Sequence, residues 1–170
     1  PQPRPVNRMT RLDKTSAVAN SALGAELDEA EAAALASRMG VHPFQSGEIL
    51  VREGEQRRTL FVLADGKLGV CKAGKDGQPG GMLYQLRTGE CAGTRAFLDA
   101  SERKAMLRAD SDGIVLTLEP EDFEQLIETH PRLVYKVMRA LFRVTHANLM
   151  RMNLETAELR NYMMKTGGRY

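Results

Sequence analysis

The chain has 170 residues, 42% of them apolar and 27% charged, with a formal net charge of +2. That length suits one ordinary domain with its own core, and a charge so near balance excludes nucleic-acid binding by bulk electrostatics alone. No apolar run approaches the roughly 18–20 residues that span a bilayer, and Cys71 and Cys91, in no CxxC pair, are too few for a disulfide framework, so a reduced cytoplasmic setting is expected.

Residues Pro1 to Arg8 are proline-rich and basic without an apolar core, which is not the pattern of a signal peptide. With Met9 as a candidate natural start, residues 1–22 are expected to form a flexible arm. The stretch Glu26 to Met39 is rich in alanine and glutamate, with Leu27, Ala30, Ala34, Leu35 and Met39 on a helical period. Gly40 follows, where helix C-termini favour glycine, so this helix is expected to end at 39 or 40.

From Val41 to Leu118 the apolar residues arrive in short bursts: Ile49-Leu50-Val51, Leu60-Phe61-Val62-Leu63, Leu68-Gly69-Val70, Met82-Leu83-Tyr84, Met106-Leu107 and Ile114-Val115-Leu116. Turn signals such as Glu53-Gly54, Asp65-Gly66 and Asp112-Gly113 lie between them, and Ala73 to Gly81 reads as a hairpin tip. Bursts recurring about every ten residues between glycine turns predict an antiparallel roll or sandwich. The predicted class is α+β, mainly β, with the roll and its flanking helices over 23–130.

After Leu118 the helical period returns. Pro120 suits the first turn of a short helix over Glu121 to Thr129, and Pro131 opens a long helix over 131–165. Along it Val134, Met138, Leu141, Thr145, Leu149, Met152, Thr156, Leu159 and Met163 recur at threes and fours. Such a stripe either packs on its own domain or pairs with its twin; its length favours a homodimer through this helix. The other face, with Arg132, Lys136, Arg139, Arg143, Arg151 and Arg160, reads as solvated.

Helix, glycine-punctuated roll, short helix and long helix, in that order over about residues 26–160, resemble the cyclic nucleotide-binding domain of the catabolite-activator family and its kinase and channel relatives. Two segments carry the resemblance. Ser46 to Val70, SGEILVREGEQRRTLFVLADGKLGV, places Gly47, Gly54, Leu60, Phe61 and Gly66 where the family has its turn glycines and strand residues. The second segment is similar to the family's phosphate-binding cassette, a glycine and glutamate opening a short helix, followed by R-x-A. The resemblance implies that helix amides and the arginine hold the cyclic phosphate and that the glutamate accepts from the ribose 2′-hydroxyl.

Here the cassette reads Gly93-Thr94-Arg95-Ala96-Phe97-Leu98, then Arg103-Lys104-Ala105, with Arg103 nine residues after Thr94 at the family spacing. Thr94 stands in place of the glutamate and Arg95 in place of an apolar residue; Glu90 sits too far back and is expected on the approaching strand or turn. A hydrogen bond to a charged group contributes about 1.5–3 kcal/mol against about 1 for a neutral one, so Thr94 is expected to weaken a cyclic mononucleotide by about one to two orders of magnitude.

The expected ligand-binding set is therefore Gly93, Thr94, Arg95, Ala96, Arg103, Lys104 and Ala105. Arg103 reads either as a phosphate contact or as a surface-loop arginine. The family covers the base with its long helix, where Thr145, His146 and Asn148 offer polar contacts. The ligands implied are cAMP, cGMP, a cyclic dinucleotide or another small anion. The alternative is a degenerate domain acting as an interaction or assembly scaffold for an unknown protein partner.

No metal is expected, because His42, His130 and His146 make no ligand spacing. Cys71 and Cys91 read as small core residues on neighbouring strands rather than haem ligands. No nucleophile elbow, P-loop or paired-carboxylate pattern asks for catalysis, so an enzyme is not expected. Transcription factors of this family carry a helix-turn-helix after the long helix; none follows Met164 in this sequence, so neither DNA binding nor a membrane is expected.

Overall fold

A computed structural model describes residues 12–167. Six helices and eight strands follow in the order α1 (Lys14–Ala19), α2 (Glu29–Ser37), β1 (Gly40–Phe44), β2 (Ile49–Val51), β3 (Leu60–Asp65), β4 (Leu68–Ala73), β5 (Pro79–Leu86), β6 (Cys91–Ala92), α3 (Thr94–Asp99), β7 (Met106–Ala109), β8 (Gly113–Leu118), α4 (Pro120–Glu124), α5 (Leu126–Thr129) and α6 (Pro131–Thr166). The strands form two four-stranded antiparallel sheets, ordered β1-β8-β3-β6 and β2-β7-β4-β5. This is the α+β roll expected from the alternation of apolar bursts and glycine turns.

The unbroken apolar runs have a direct cause. Along β3, Phe61 and Leu63 point into the roll with Phe44, Leu50, Val51, Leu68, Leu86, Leu107 and Val115. Leu60 and Val62, one residue out of phase, join Leu116 and Leu118 of β8 in a second core against the helices, with Leu35, Phe97, Phe123, Leu126, Leu133 and Val137. A strand buried on both faces alternates between two cores, so it reads as continuously apolar. Both Leu60 and Val115 are fully buried.

The helical boundaries correct several expectations. Residues 1–11 of the expected arm, with Met9, lie outside the described residues. The remainder of 1–22 is not a free arm: Asp13 caps α1 by accepting from the amides of Thr15 and Ser16, and Val18 and Leu23 are buried in the helix-side core. Residues of 12–22 thus pack on the same helix-side core as α2. The helix predicted over Glu26–Met39 is α2, its start set by a capping box in which Asp28 accepts from the Glu31 amide and Glu31 accepts from that of Asp28, and its last turn closed at Arg38. Gly40 does not terminate it but opens β1, paired with Thr117.

Pro120 does open a helix, split at Gln125 into α4 and α5. In α6 the buried line is Leu133, Val137, Ala140 and Leu141, one step round from the expected Val134 and Met138. The basic face is only partly solvated: Lys136 pairs with Glu31 at 2.6 Å, Arg139 and Arg143 converge on Glu26, and Arg151 stacks on Tyr84. These pairs strap the residues around α2 to α6. Cys71 on β4 and Cys91 on β6 lie in different sheets rather than on neighbouring strands. No helix among the described residues is long and apolar enough to cross a membrane.

Candidate functional site: the cassette around Arg103

The cassette is built where the chain leaves β6 and turns into α3. Gly93 makes that turn with φ +88°, a left-handed conformation that costs glycine nothing, and its carbonyl accepts from the Phe97 amide. Ala96 and Phe97 face the core, Phe97 packing on Phe123 at 5.7 Å between ring centroids. The return strand is fixed by backbone: the Arg103 amide donates to the Glu55 carbonyl at 2.9 Å, and the Gly54 amide donates to the Arg103 carbonyl at 2.8 Å. The β2–β3 turn at Gly54 and the cassette thus hold one another in register.

Arg103 is the central group. It is only 5% exposed, which excludes the surface-loop reading of this residue. Its Nε donates to the Arg57 carbonyl at 2.8 Å and its Nη2 to the Thr59 carbonyl. The guanidinium lies 5.5 Å from the centre of the Phe61 ring, and Arg57 lies 5.3 Å from the same ring. A Cβ placed on Gly93 would fall 1.7 Å from Nη1 of Arg103, so glycine is what lets the guanidinium reach the start of α3. Among the described residues no carboxylate lies within ion-pair distance of Arg103, and no acceptor is found for Nη1. Burial, with the neighbouring Arg57 cation, pulls its pKa below the ordinary arginine value; the more distant Glu55 and Glu119 act the other way.

Thr94 is nearly buried and turns toward α6, where its Oγ1 lies 3.5 Å from that of Thr145, whose single hydroxyl proton goes to the Leu141 carbonyl at 2.9 Å. The cassette and the long helix therefore meet within one chain, and the half-buried Asn148 lies one turn beyond Thr145. His146 instead stacks on Phe142, away from this line.

The remaining expected contacts divide. Gly93, Thr94, Ala96 and Arg103 converge, and Ala105 is half-buried beside them in sequence. Arg95 and Lys104 do not join them. Arg95 is exposed and pairs with Asp99 at 3.6 Å, and Lys104 is exposed and pairs with Glu102 at 3.3 Å. In α3 the core-facing arc is taken by Thr94, Ala96 and Phe97, which leaves Arg95 on the outer face.

Glu90 sits in the turn before β6, as expected, and is fully engaged there. Its carboxylate accepts from the Tyr84 hydroxyl at 2.7 and 2.9 Å and from the Arg87 amide at 2.8 Å. Sequence reasoning missed the next contact altogether. The Arg151 guanidinium of α6 lies 4.0 Å from the centre of the Tyr84 ring. Only a fixed helix register across the roll would have revealed that pair.

Cavities of about 500 Å³, between α1 and α2, and about 390 Å³, against Tyr135 and Phe142 of α6, lie away from the cassette. Among the described residues no cluster of three or more histidine, cysteine or acidic side chains is placed to hold a metal. Cys91 is buried and its thiol is pushed up to about 12, the character of a core thiol rather than a ligand.

Known proteins agree with this architecture. Human cGMP-dependent protein kinase 2 is 29% identical over 94 residues, which are 55% of this chain and 12% of the kinase. The chain thus spans about an eighth of the length of that relative. Among solved structures, a cyclic nucleotide-binding domain from Methylobacillus flagellatus superposes with a TM-score of 0.73 at 18% identity, covering 81% of this chain and 79% of that one. The catabolite activator protein of Thermus thermophilus gives a TM-score of 0.70 at 28% identity, over 82% of this chain and 63% of its own. The profile of the cyclic nucleotide-binding domain matches residues 41–130, and the chain belongs to that family.

Proposed function

We propose that this domain is a non-enzymatic cyclic nucleotide receptor whose ligand places its phosphate against Gly93, Thr94 and Arg103. The observation that carries the reading is Arg103: a cation 5% exposed, with two donors spent on carbonyls and no carboxylate paired to it among the described residues. A buried charge without a partner is costly, and a cyclic phosphate supplies the missing anion with a charge-assisted hydrogen bond. Nη1 at Gly93 is the free donor for it. cAMP, cGMP and cyclic dinucleotides all carry that group.

The output element is α6. Its N-terminal half is packed on the roll, and Thr145 reports on Thr94 directly. Exposed Tyr135, Met138, Phe142, Leu149, Met152, Leu159 and Met163 recur at coiled-coil spacing and suit a homodimer of parallel α6 helices. Ligand binding at Thr94 would shift Thr145 and with it the dimer seam.

A specific observation favours a second reading. Thr94 meets Thr145 rather than an open site, and Arg103 satisfies part of its own demand with carbonyls. Such self-satisfaction suits a degenerate domain that scaffolds an unknown protein partner. Titration calorimetry with cAMP, cGMP and cyclic dinucleotides separates the two. Heat with any of them supports the receptor, and no heat at millimolar concentration with all of them leaves the scaffold.

A further inference from the structure

Resting on the receptor reading above, we propose that Thr59 and Glu119 are positioning residues for Arg103, so that the start of α4 is built into the anion site. Arg103 is held from one side. Its Nε donates to the Arg57 carbonyl at 2.8 Å and its Nη2 to the Thr59 carbonyl, both on the segment that enters β3. These two bonds fix the plane of the guanidinium, and with it the direction of Nη1 toward Gly93. Where the charge points therefore depends on what holds residues 57–59.

Side chains hold them. Leu60, the first residue of β3, pairs with Leu118, the last of β8. Thr59 and Glu119 therefore stand opposite each other just past the end of this antiparallel pair. Thr59 is 1% exposed, and its hydroxyl donates to Glu119 Oε1 at 2.6 Å while accepting from Arg57 Nε at 3.2 Å. Arg57 Nη1 in turn donates to the Leu50 carbonyl at 3.1 Å. One buried hydroxyl thus ties the two residues whose carbonyls hold Arg103 to a carboxylate on another element.

Glu119 is diverted to this contact from its own helix. It is the N-cap of α4, where a carboxylate is ordinarily drawn to the free amides of the first turn. Its side chain makes no capping bond and turns to Thr59 instead. The local charge explains the diversion. Arg57 and Arg103 lie 5.3 and 5.5 Å from the centre of the same Phe61 ring, two like charges packed on one buried aromatic. A carboxylate placed one hydroxyl away offsets them. A direct ion pair with Arg103 would consume the donor left at Gly93. Delivered through Thr59, the negative charge steadies the cation and leaves Nη1 for a ligand.

The test follows the Nε–H signal of Arg103 by heteronuclear NMR on the full chain, identified by its loss in Arg103→Lys. Its exchange with solvent should be at least about tenfold faster in Thr59→Val, which keeps the shape and removes the hydroxyl, and in Glu119→Ala. Thr59→Ser and Glu119→Gln, which keep the donor and the acceptor, should stay within about threefold of the wild type. Backbone amides of β3 and β8 in the same spectra control for a general loss of stability. Calorimetry with cGMP and with cAMP is the second readout. Whichever nucleotide binds the wild type should bind Thr59→Val and Glu119→Ala about tenfold to a hundredfold more weakly, with Thr59→Ser and Glu119→Gln again within about threefold. Unchanged Nε–H exchange in Thr59→Val, acceleration shared equally by the β3 and β8 amides, or undiminished nucleotide affinity in Glu119→Ala overturns the assignment and leaves the receptor reading standing. Binding of neither nucleotide by the wild type overturns the receptor reading, and the exchange rates still decide whether Thr59 and Glu119 hold Arg103.

Discussion

The two halves of α6 carry the same apolar period and meet different surroundings. In the N-terminal half Leu133, Val137, Ala140 and Leu141 are buried in the helix-side core, and Lys136, Arg139 and Arg143 are tied to Glu31 and Glu26. In the C-terminal half Leu149, Met152, Leu159 and Met163 are more than half exposed, and the contact found with the roll is that of Arg151 on Tyr84. Apolar periodicity thus says that a face will be covered but not by what. The first half is covered by its own domain, and the second presents its apolar face outward.

One residue in each half of α6 separates the two surroundings. Leu141→Ala removes a fully buried side chain from the helix-side core, and a loss of about 2–5 kcal/mol is expected in chemical denaturation. Leu159→Ala, at 60% exposure, should leave monomer stability within about 0.5 kcal/mol and instead weaken self-association in sedimentation equilibrium. Equal destabilisation by both would show that the second half also packs on its own domain.

Two glycines sharpen the contrast between the cassette and the outer loops. Gly93 and Gly77 both have positive φ, +88° and +70°, but a Cβ on Gly77 meets nothing within 4 Å whereas one on Gly93 strikes Arg103. Alanine at either site should cost about 1–2 kcal/mol for the left-handed conformation. Only Gly93→Ala should also displace the guanidinium and abolish nucleotide binding, which thermal melts with and without ligand would read.

Smaller effects are expected at helix ends and on the strapped face. Asp28→Ala breaks the capping box of α2 and should lower stability by about 1 kcal/mol in the same denaturation assay. Arg139→Ala breaks an ion pair whose arginine is half exposed, 3.5 Å from Glu26, and should change it by no more than about 0.5 kcal/mol, less still in high salt. A larger loss at Arg139 would mean that the strap to Glu26 contributes to closure of α6.

Much of the fold was legible because its signals are local or repeated. Leu60 to Leu63 is continuously apolar since β3 divides its side chains between two cores, and the glycine turns delimit each strand. The cassette was legible as a spacing, Gly93 to Arg103, and that spacing does bring the guanidinium to the glycine. Helix α1 was not legible: six residues with one buried position, Val18, make no period to detect. Basic residues near Arg103 looked alike in sequence, but their direction depends on the phase of a six-residue helix and on a short return loop, so Arg95 and Lys104 point outward. The Arg151–Tyr84 contact joins a helix to a strand across the roll, and no local pattern encodes such a pairing.

On the receptor reading Arg103, buried and without a carboxylate partner among the described residues, holds the ligand's anion, and the exposed Arg95 does not. Calorimetry with cGMP on Arg103→Ala and Arg95→Ala, each checked for native circular dichroism, tests it most directly. No measurable binding is expected for Arg103→Ala, and wild-type affinity within about threefold for Arg95→Ala, since an exposed ion pair 3.6 Å long contributes little. Wild-type affinity in Arg103→Ala, or loss of binding in Arg95→Ala alone, would contradict it.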